Sequence, residues 1–246
     1  MVVGPKSPIA GPAELLGGSD RRRRPSPPEN AVTAGALDPL TGLVLAGGRA
    51  ERMGGRDKGL LELAGEPLVV HAIRQLRSQV AEVLISANRN LARYRRFGCR
   101  VVRDGETERY RGPLAGILAA MRASTTAYLL TAPCDSPLLP PDYARRMRAA
   151  LERERASLAV VCREGFWQPV FALLPVALRD DLAAYLAAGG SGAGRWLAGH
   201  RPAPVEFPEW PAAIGNVNTP EDLARLEADW MIGAGRPSPA EDRKRG

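Results

Sequence analysis

The stretch LVLAGGRAERMGGRDKG, Leu43 to Gly59, sets five glycines and one lysine directly behind a short apolar run. A short run of branched apolar residues followed by a glycine-rich turn reads as a buried strand that delivers the chain into a loop with unusual backbone freedom. The lysine sharpens the reading. Of 34 basic residues only three are lysine, Lys6, Lys58 and Lys244, and Lys58 alone stands away from the two ends. Where arginine is the default cation, one lysine in a glycine loop points to a need for a compact ammonium on a flexible stem rather than a planar fork. The loop is not a Walker A motif, since Gly59 stands where Ser or Thr would follow the lysine, and it is not G-x-G-x-x-G, since Gly47 and Gly48 are adjacent. What remains is a turn whose backbone N–H groups can face a polyphosphate or a base edge.

Outward from this stretch, apolar runs alternate with helical patterns. GLVLA (42–46) precedes EPLVVHAIRQLRSQ; VLISAN (83–88) precedes NLARYRRF; RVVRD (100–104) precedes GPLAGILAAMRA; AYLLTAP (127–133) precedes PPDYARRMRAALERER; and LAVVC (158–162) closes the series. This alternation predicts an α/β fold, a mostly parallel sheet with helices on both faces. Residues 1–38 hold six prolines and five glycines without apolar periodicity and are expected to form a disordered leader, 39–230 the folded domain, and 231–246 a disordered tail.

Composition narrows the function classes. With 45% apolar residues the chain can build a real core. Three cysteines without C-x-x-C spacing suggest neither a disulfide framework nor a zinc site, and a reducing cytoplasm fits. No apolar run approaches the roughly 20 residues of a membrane span, and Arg21–Arg24 are followed by PSPPEN rather than by the apolar segment of a secretory signal. The net charge of +7 leaves +4 for residues 39–230. A mildly basic body suits small anions, and it lacks the aromatic interleaving of a single-strand nucleic-acid binder.

In parallel sheets ligands lie beyond the carboxyl ends of the strands, and polar groups collect there. The first run leads to Gly47, Gly48, Arg52 and Lys58, the second to Ser86 and Asn88, the third to Asp104, the fourth to Cys134 and Asp135. Singly these are ordinary turn residues; together they mark one rim. Asp135 is the best-placed carboxylate for magnesium, which takes hard oxygen ligands. Asn218 offers a neutral oxygen, although Thr219, Pro220 and Asp222 also spell a helix start. Arg52 can face phosphate or only solvent. His71 reads as a packed helix residue, and Cys134 as a small apolar one.

The ordered blocks LAGGRAERMGGRDKGLLELAGEPLVVHAI, ISANRN, VVRD, GPLAGILAAM, APCDSP and GNVNTPEDL, over about residues 42–228, resemble the molybdenum cofactor guanylyltransferase (MobA) family. The resemblance implies a Rossmann-like nucleotidyltransferase fold and a magnesium-dependent transfer of GMP from GTP to the phosphate of molybdopterin cofactor. It also implies work alongside cofactor-delivering or molybdoenzyme-maturation proteins. It assigns Leu45, Ala46, Gly47 and Gly48 to the nucleotide loop, Lys58 to phosphate, Ser86 or Asn88 and Asp104 to further nucleotide contacts, and Asp135 to the metal. Relatives that use CTP tend to read Leu-Ala-Ala-Gly and Gly-Asp-Gln-Pro, where this chain reads Leu45-Ala46-Gly47-Gly48 and Cys134-Asp135-Ser136-Pro137, which sides with GTP.

Deleting residues 1–38 is expected to leave both the melting temperature and the isolated reaction unchanged, because the segment lacks the apolar content to join a core. A large drop in melting temperature would show that it packs on the domain.

Overall fold

The computed structural model describes residues 39–48, 57–109, 111–208, 217 and 219–231. The leader expected before residue 39 and the tail from 232 onward lie outside the described residues. Strand β1 (Leu40–Leu45) is followed by a 3-10 turn at Lys58–Leu60 and a small hairpin of β2 (Glu62–Leu63) and β3 (Glu66–Pro67). Helix α1 (Leu68–Arg77), β4 (Glu82–Ser86), α2 (Leu91–Arg95), β5 (Arg100–Val102), α3 (Pro113–Ala123), β6 (Tyr128–Pro133), α4 (Tyr143–Glu154) and β7 (Ala159–Arg163) then alternate as the sequence predicts. The chain continues through β8 (Phe166–Pro175), α5 (Arg179–Ala187), α6 (Ala193–Ala198), β9 (Ala203–Glu206) and α7 (Pro220–Met231).

Seven strands form one sheet in the order β5-β4-β1-β6-β8-β7-β9. Every neighbouring pair is parallel except those that involve β8, which runs antiparallel to both β6 and β7. The apolar runs are continuous because successive residues serve opposite faces. Leu43, Leu84 and Leu129 pack with Leu114, Ile117 and Leu118 of α3 and with Leu182 and Trp196 of α5 and α6. Their chain neighbours Val44, Ile85 and Leu130 pack on the other face with Ala72 and Leu76 of α1 and Tyr143 and Met147 of α4. His71 belongs to this packed set: it is buried, and its Nε2 lies 3.0 Å from the Leu63 carbonyl oxygen.

A satellite cluster of Leu63, Leu68, Val217 and Leu226 ties the small hairpin to α7. The start of α7 is a reciprocal cap, in which the Asp222 N–H donates to the Thr219 hydroxyl at 3.1 Å and the Thr219 N–H donates to the Asp222 carboxylate at 3.0 Å. Among the described residues no helix is long and apolar enough to cross a membrane.

The reversed strand β8, like the short β9, is a part of the sheet that the alternation pattern does not announce. Glu164 and Gly165 take positive φ, 52° and 80°, as a tight hairpin turn between β7 and β8 requires. Beyond Leu130↔Leu173 the regular β6–β8 pairing ends, and a side chain takes over. The Ala172 N–H donates to the Thr131 hydroxyl at 3.0 Å, and that hydroxyl donates to the Val170 carbonyl at 2.8 Å. Thr131 is fully buried, so nothing else would satisfy these groups cheaply. Thr131→Val, which keeps the shape and removes the bridge, is expected to lower stability by about 1–3 kcal/mol for each buried group it leaves unpaired. The denaturant midpoint measures it, and an unchanged midpoint would show that the strand re-pairs.

Candidate active site

Strand β1 lies inside the sheet between β4 and β6, and these neighbours are lashed to it where they end. Leu45 is in register with both Ser86 and Pro133. Just past the strand the Ala46 N–H donates to the Ser86 carbonyl at 2.8 Å, and the Cys134 N–H donates to the Leu45 carbonyl at 3.0 Å. The Ala87 N–H continues the row to the Val102 carbonyl at 3.0 Å. The rim anticipated from the strand ends is therefore one continuous backbone-bonded edge. The Leu45 carbonyl and the Ala46 N–H are both engaged in this ladder.

Gly47 and Gly48 leave that edge in different surroundings. A β-carbon on Gly47 would lie 3.2 Å from Asn88 Nδ2 and 3.7 Å from Ser86 Oγ, whereas one on Gly48 would meet nothing within 4 Å among the described residues. Packing against Asn88 thus leaves little room for a side chain at 47, while position 48 is less confined among the described residues. Ser86 is buried, and its hydroxyl sits where a side chain on Gly116 of α3 would have to go. Asn88 uses both ends of its amide on one partner: its Nδ2 donates to the Asp104 carboxylate at 2.7 Å, and its Oδ1 accepts the Asp104 N–H at 3.0 Å. That two-point clamp fixes the Asp104 carboxylate beside the glycine turn.

Lys58 and Asp135, 77 residues apart in sequence, meet at 3.2 Å. Their side chains keep only 23% and 12% of their surface exposed, so the pair is partly withdrawn from water. Burial pushes the Asp135 carboxyl up, and the Lys58 ammonium pulls it back. An ionised carboxylate in such a place needs a cation beside it. The backbone carbonyl of Asp135 accepts the Val217 N–H at 3.3 Å, which brings Val217 to the same rim. Arg52 and Asn218, and the neighbouring Asn216, lie outside the described residues. Cys134 is buried and its thiol pushed well up, chiefly by desolvation and then by the nearby carboxylates, which removes it as a nucleophile.

The sequence reading passed over Asp57. It is buried, its carboxylate accepts from the Tyr94 hydroxyl at 2.6 Å and from Asn90 Nδ2 at 2.9 Å, and Arg89 Nε stands 3.6 Å away. Its place directly before Lys58 was the available signal. Among the described residues no group of three or more His, Cys, Asp or Glu could hold a metal ion. A cavity of about 400 Å³ opens at the opposite end of β1, lined by Leu40, Gln79, Pro141 and Arg148 among others, and takes no part in this rim.

Residues 42–205 match the family model described as a MobA-like NTP transferase domain. The chain belongs to that family. Molybdenum cofactor guanylyltransferase of Shewanella sediminis is 48% identical over 187 residues, which cover 76% of this chain and 95% of the relative. That of Cupriavidus pinatubonensis is 46% identical over 198 residues, 78% and 98% of the two chains. Among solved structures, molybdopterin-guanine dinucleotide biosynthesis protein A from Archaeoglobus fulgidus superimposes with a TM-score of 0.63 at 21% identity, over 78% of this chain and 99% of that one. The MobA-like NTP transferase assignment makes the chain a nucleotidyltransferase with a Rossmann-like fold, as the resemblance of its ordered blocks implies.

In this family member Lys58 is hemmed by glycine on its own chain and by a carboxylate opposite. Lys58→Arg is expected to weaken nucleotide binding and leave little turnover, because the planar fork does not fit where the ammonium sits. Steady-state kinetics decide: unchanged constants would mean that charge alone is needed.

Proposed function

We propose that the chain is a molybdenum cofactor guanylyltransferase, joining GMP from GTP to the terminal phosphate of the molybdopterin cofactor. A phosphate oxygen of the cofactor forms a bond to the α-phosphorus of GTP, the α–β bridging P–O bond breaks, and pyrophosphate leaves with the electron pair. Both reactants are anionic, so the protein's task is to neutralise charge and hold an in-line geometry rather than to supply a covalent nucleophile.

The observation that carries this reading is the Lys58–Asp135 pair at the rim shared with Gly47 and Gly48. The side-chain-free turn lets the nucleotide approach the backbone, with Ser86, Asn88 and Asp104 along the same edge. The clamp described above suggests that Asn88 contributes chiefly by orienting Asp104. Lys58, on its four-carbon stem, can swing from Asp135 to phosphate oxygens as they arrive. Asp135 is then released to serve a metal, and its hard oxygens at a rim open to phosphates fit magnesium, with Asn218 as the proposed neutral ligand. Magnesium bound there would supply electrostatic neutralisation at the α-phosphate. Arg52, from the same glycine loop, is proposed to meet phosphate as well.

The preference for guanine rests on Gly47. A methyl group there would press on Asn88, so the turn and the Asn88–Asp104 clamp are sized for each other. A site built to pair with one base edge leaves buried groups unpaired when another base enters. The test is to incubate the protein with magnesium, molybdopterin cofactor and equal GTP and CTP, following pyrophosphate and the dinucleotide formed. GMP transfer is expected to exceed CMP transfer by about tenfold or more, on the scale of such unpaired groups. Asp135→Asn in the same assay is expected to cost about 10² or more in turnover with little loss of stability. Predominant CMP transfer would overturn the guanylyltransferase reading and spare the fold.

A further inference from the structure

The residues on either side of Lys58 are gripped by one side chain from a different element. Tyr94 is fully buried in α2, and its hydroxyl donates to the Asp57 carboxylate at 2.6 Å. The same hydroxyl lies 2.5 Å from where a β-carbon on Gly59 would stand, with Cys134 Sγ at 3.4 Å from that point. Glycine therefore follows the lysine because the tyrosine occupies the space that any other side chain would need.

Asp57 is held from more than one direction. Asn90, the residue directly before α2, takes a left-handed conformation with φ 51° and donates its amide to the other Asp57 oxygen at 2.9 Å. Arg89 adds a cation at 3.6 Å. A buried carboxylate is costly unless it is paired and hydrogen-bonded, and Arg89, Asn90 and Tyr94 together meet that cost. Burial, followed by the nearby Cys134 and Asp57, pushes the Tyr94 hydroxyl well up, so it remains a hydrogen-bond donor.

Resting on the nucleotidyl-transfer reading of this rim, we propose that Asp57, locked by Tyr94, is a positioning residue that presents the Lys58 ammonium to the nucleotide's phosphates. The lock leaves the lysine stem as the mobile part of an otherwise fixed turn. It also joins the segment after β4 to the glycine loop after β1, so that both are set by the same contact.

A double-mutant cycle with Tyr94→Phe and Lys58→Met tests this, read out as GTP affinity by calorimetry and as kcat/KM for GMP transfer. If Tyr94 acts through Lys58, Tyr94→Phe is expected to weaken GTP binding about tenfold in the Lys58 protein and less than twofold in the Lys58→Met protein, since residues acting as one unit are not additive. Equal losses in both backgrounds, or no loss in either, would overturn the proposal, because a merely structural tyrosine weakens both proteins alike. If Tyr94→Phe does not fold, Asp57→Asn replaces it in the cycle with the same expected pattern. The coupling is measured in binding, so GTP binding with full coupling but no transferred GMP would sink the reaction and spare the positioning role. Failure of the unmodified protein to bind GTP would overturn both.

Discussion

Asp135 is a carboxylate drawn largely out of water at the end of a central strand, and the architecture around it answers the demand for a cation that such a group makes. β6 carries it to the rim, the Cys134 N–H bonds back to β1, and the Val217 N–H holds its own carbonyl. Lys58 answers the charge from across the rim. A free ammonium at that distance gains little in water, yet with both groups partly shielded the attraction is stronger and less screened. On the proposed reading the pair is also exchangeable, since arriving phosphates would compete for the lysine and a metal for the carboxylate. A site that must hold charged substrates and later release charged products benefits from an ion pair that can open and re-form.

Much of this was legible before any coordinates. Five runs of branched apolar residues gave strands β1, β4, β5, β6 and β7 because residues buried on both sheet faces leave an unbroken apolar signature. The Thr-Pro-Glu-Asp string gave the start of α7 because capping is a local property. The rim residues Gly47, Ser86, Asn88, Asp104, Lys58 and Asp135 could be grouped because parallel strands end on the same side. The strands that escaped notice are those whose pattern is weaker: β8 contains Pro169 and stays partly exposed over its first half, and β9 is only four residues long.

The contacts between side chains were less legible, for a physical reason. That Asn88 spends its amide on Asp104, or that Tyr94 reaches Asp57, depends on rotamers and on the distance between loops that no spacing rule encodes. Sequence position marked Asp57 only as a neighbour of Lys58. Its burial and three partners, which set it apart from an ordinary turn aspartate, arise from α2 folding over the turn.

The packing of Ser86 between Gly47 and Gly116 has a consequence for anyone redesigning this rim. Three positions from separate elements, 47 in the turn, 86 at the end of β4 and 116 on α3, share one small volume. A library that randomises Ser86 alone samples mainly clashes with a helix backbone that cannot retreat, and one that randomises Gly47 alone disturbs the clamp on Asp104. Useful variants lie where the three change together, a larger group at one position matched by space at another, so the unit of design is the triplet.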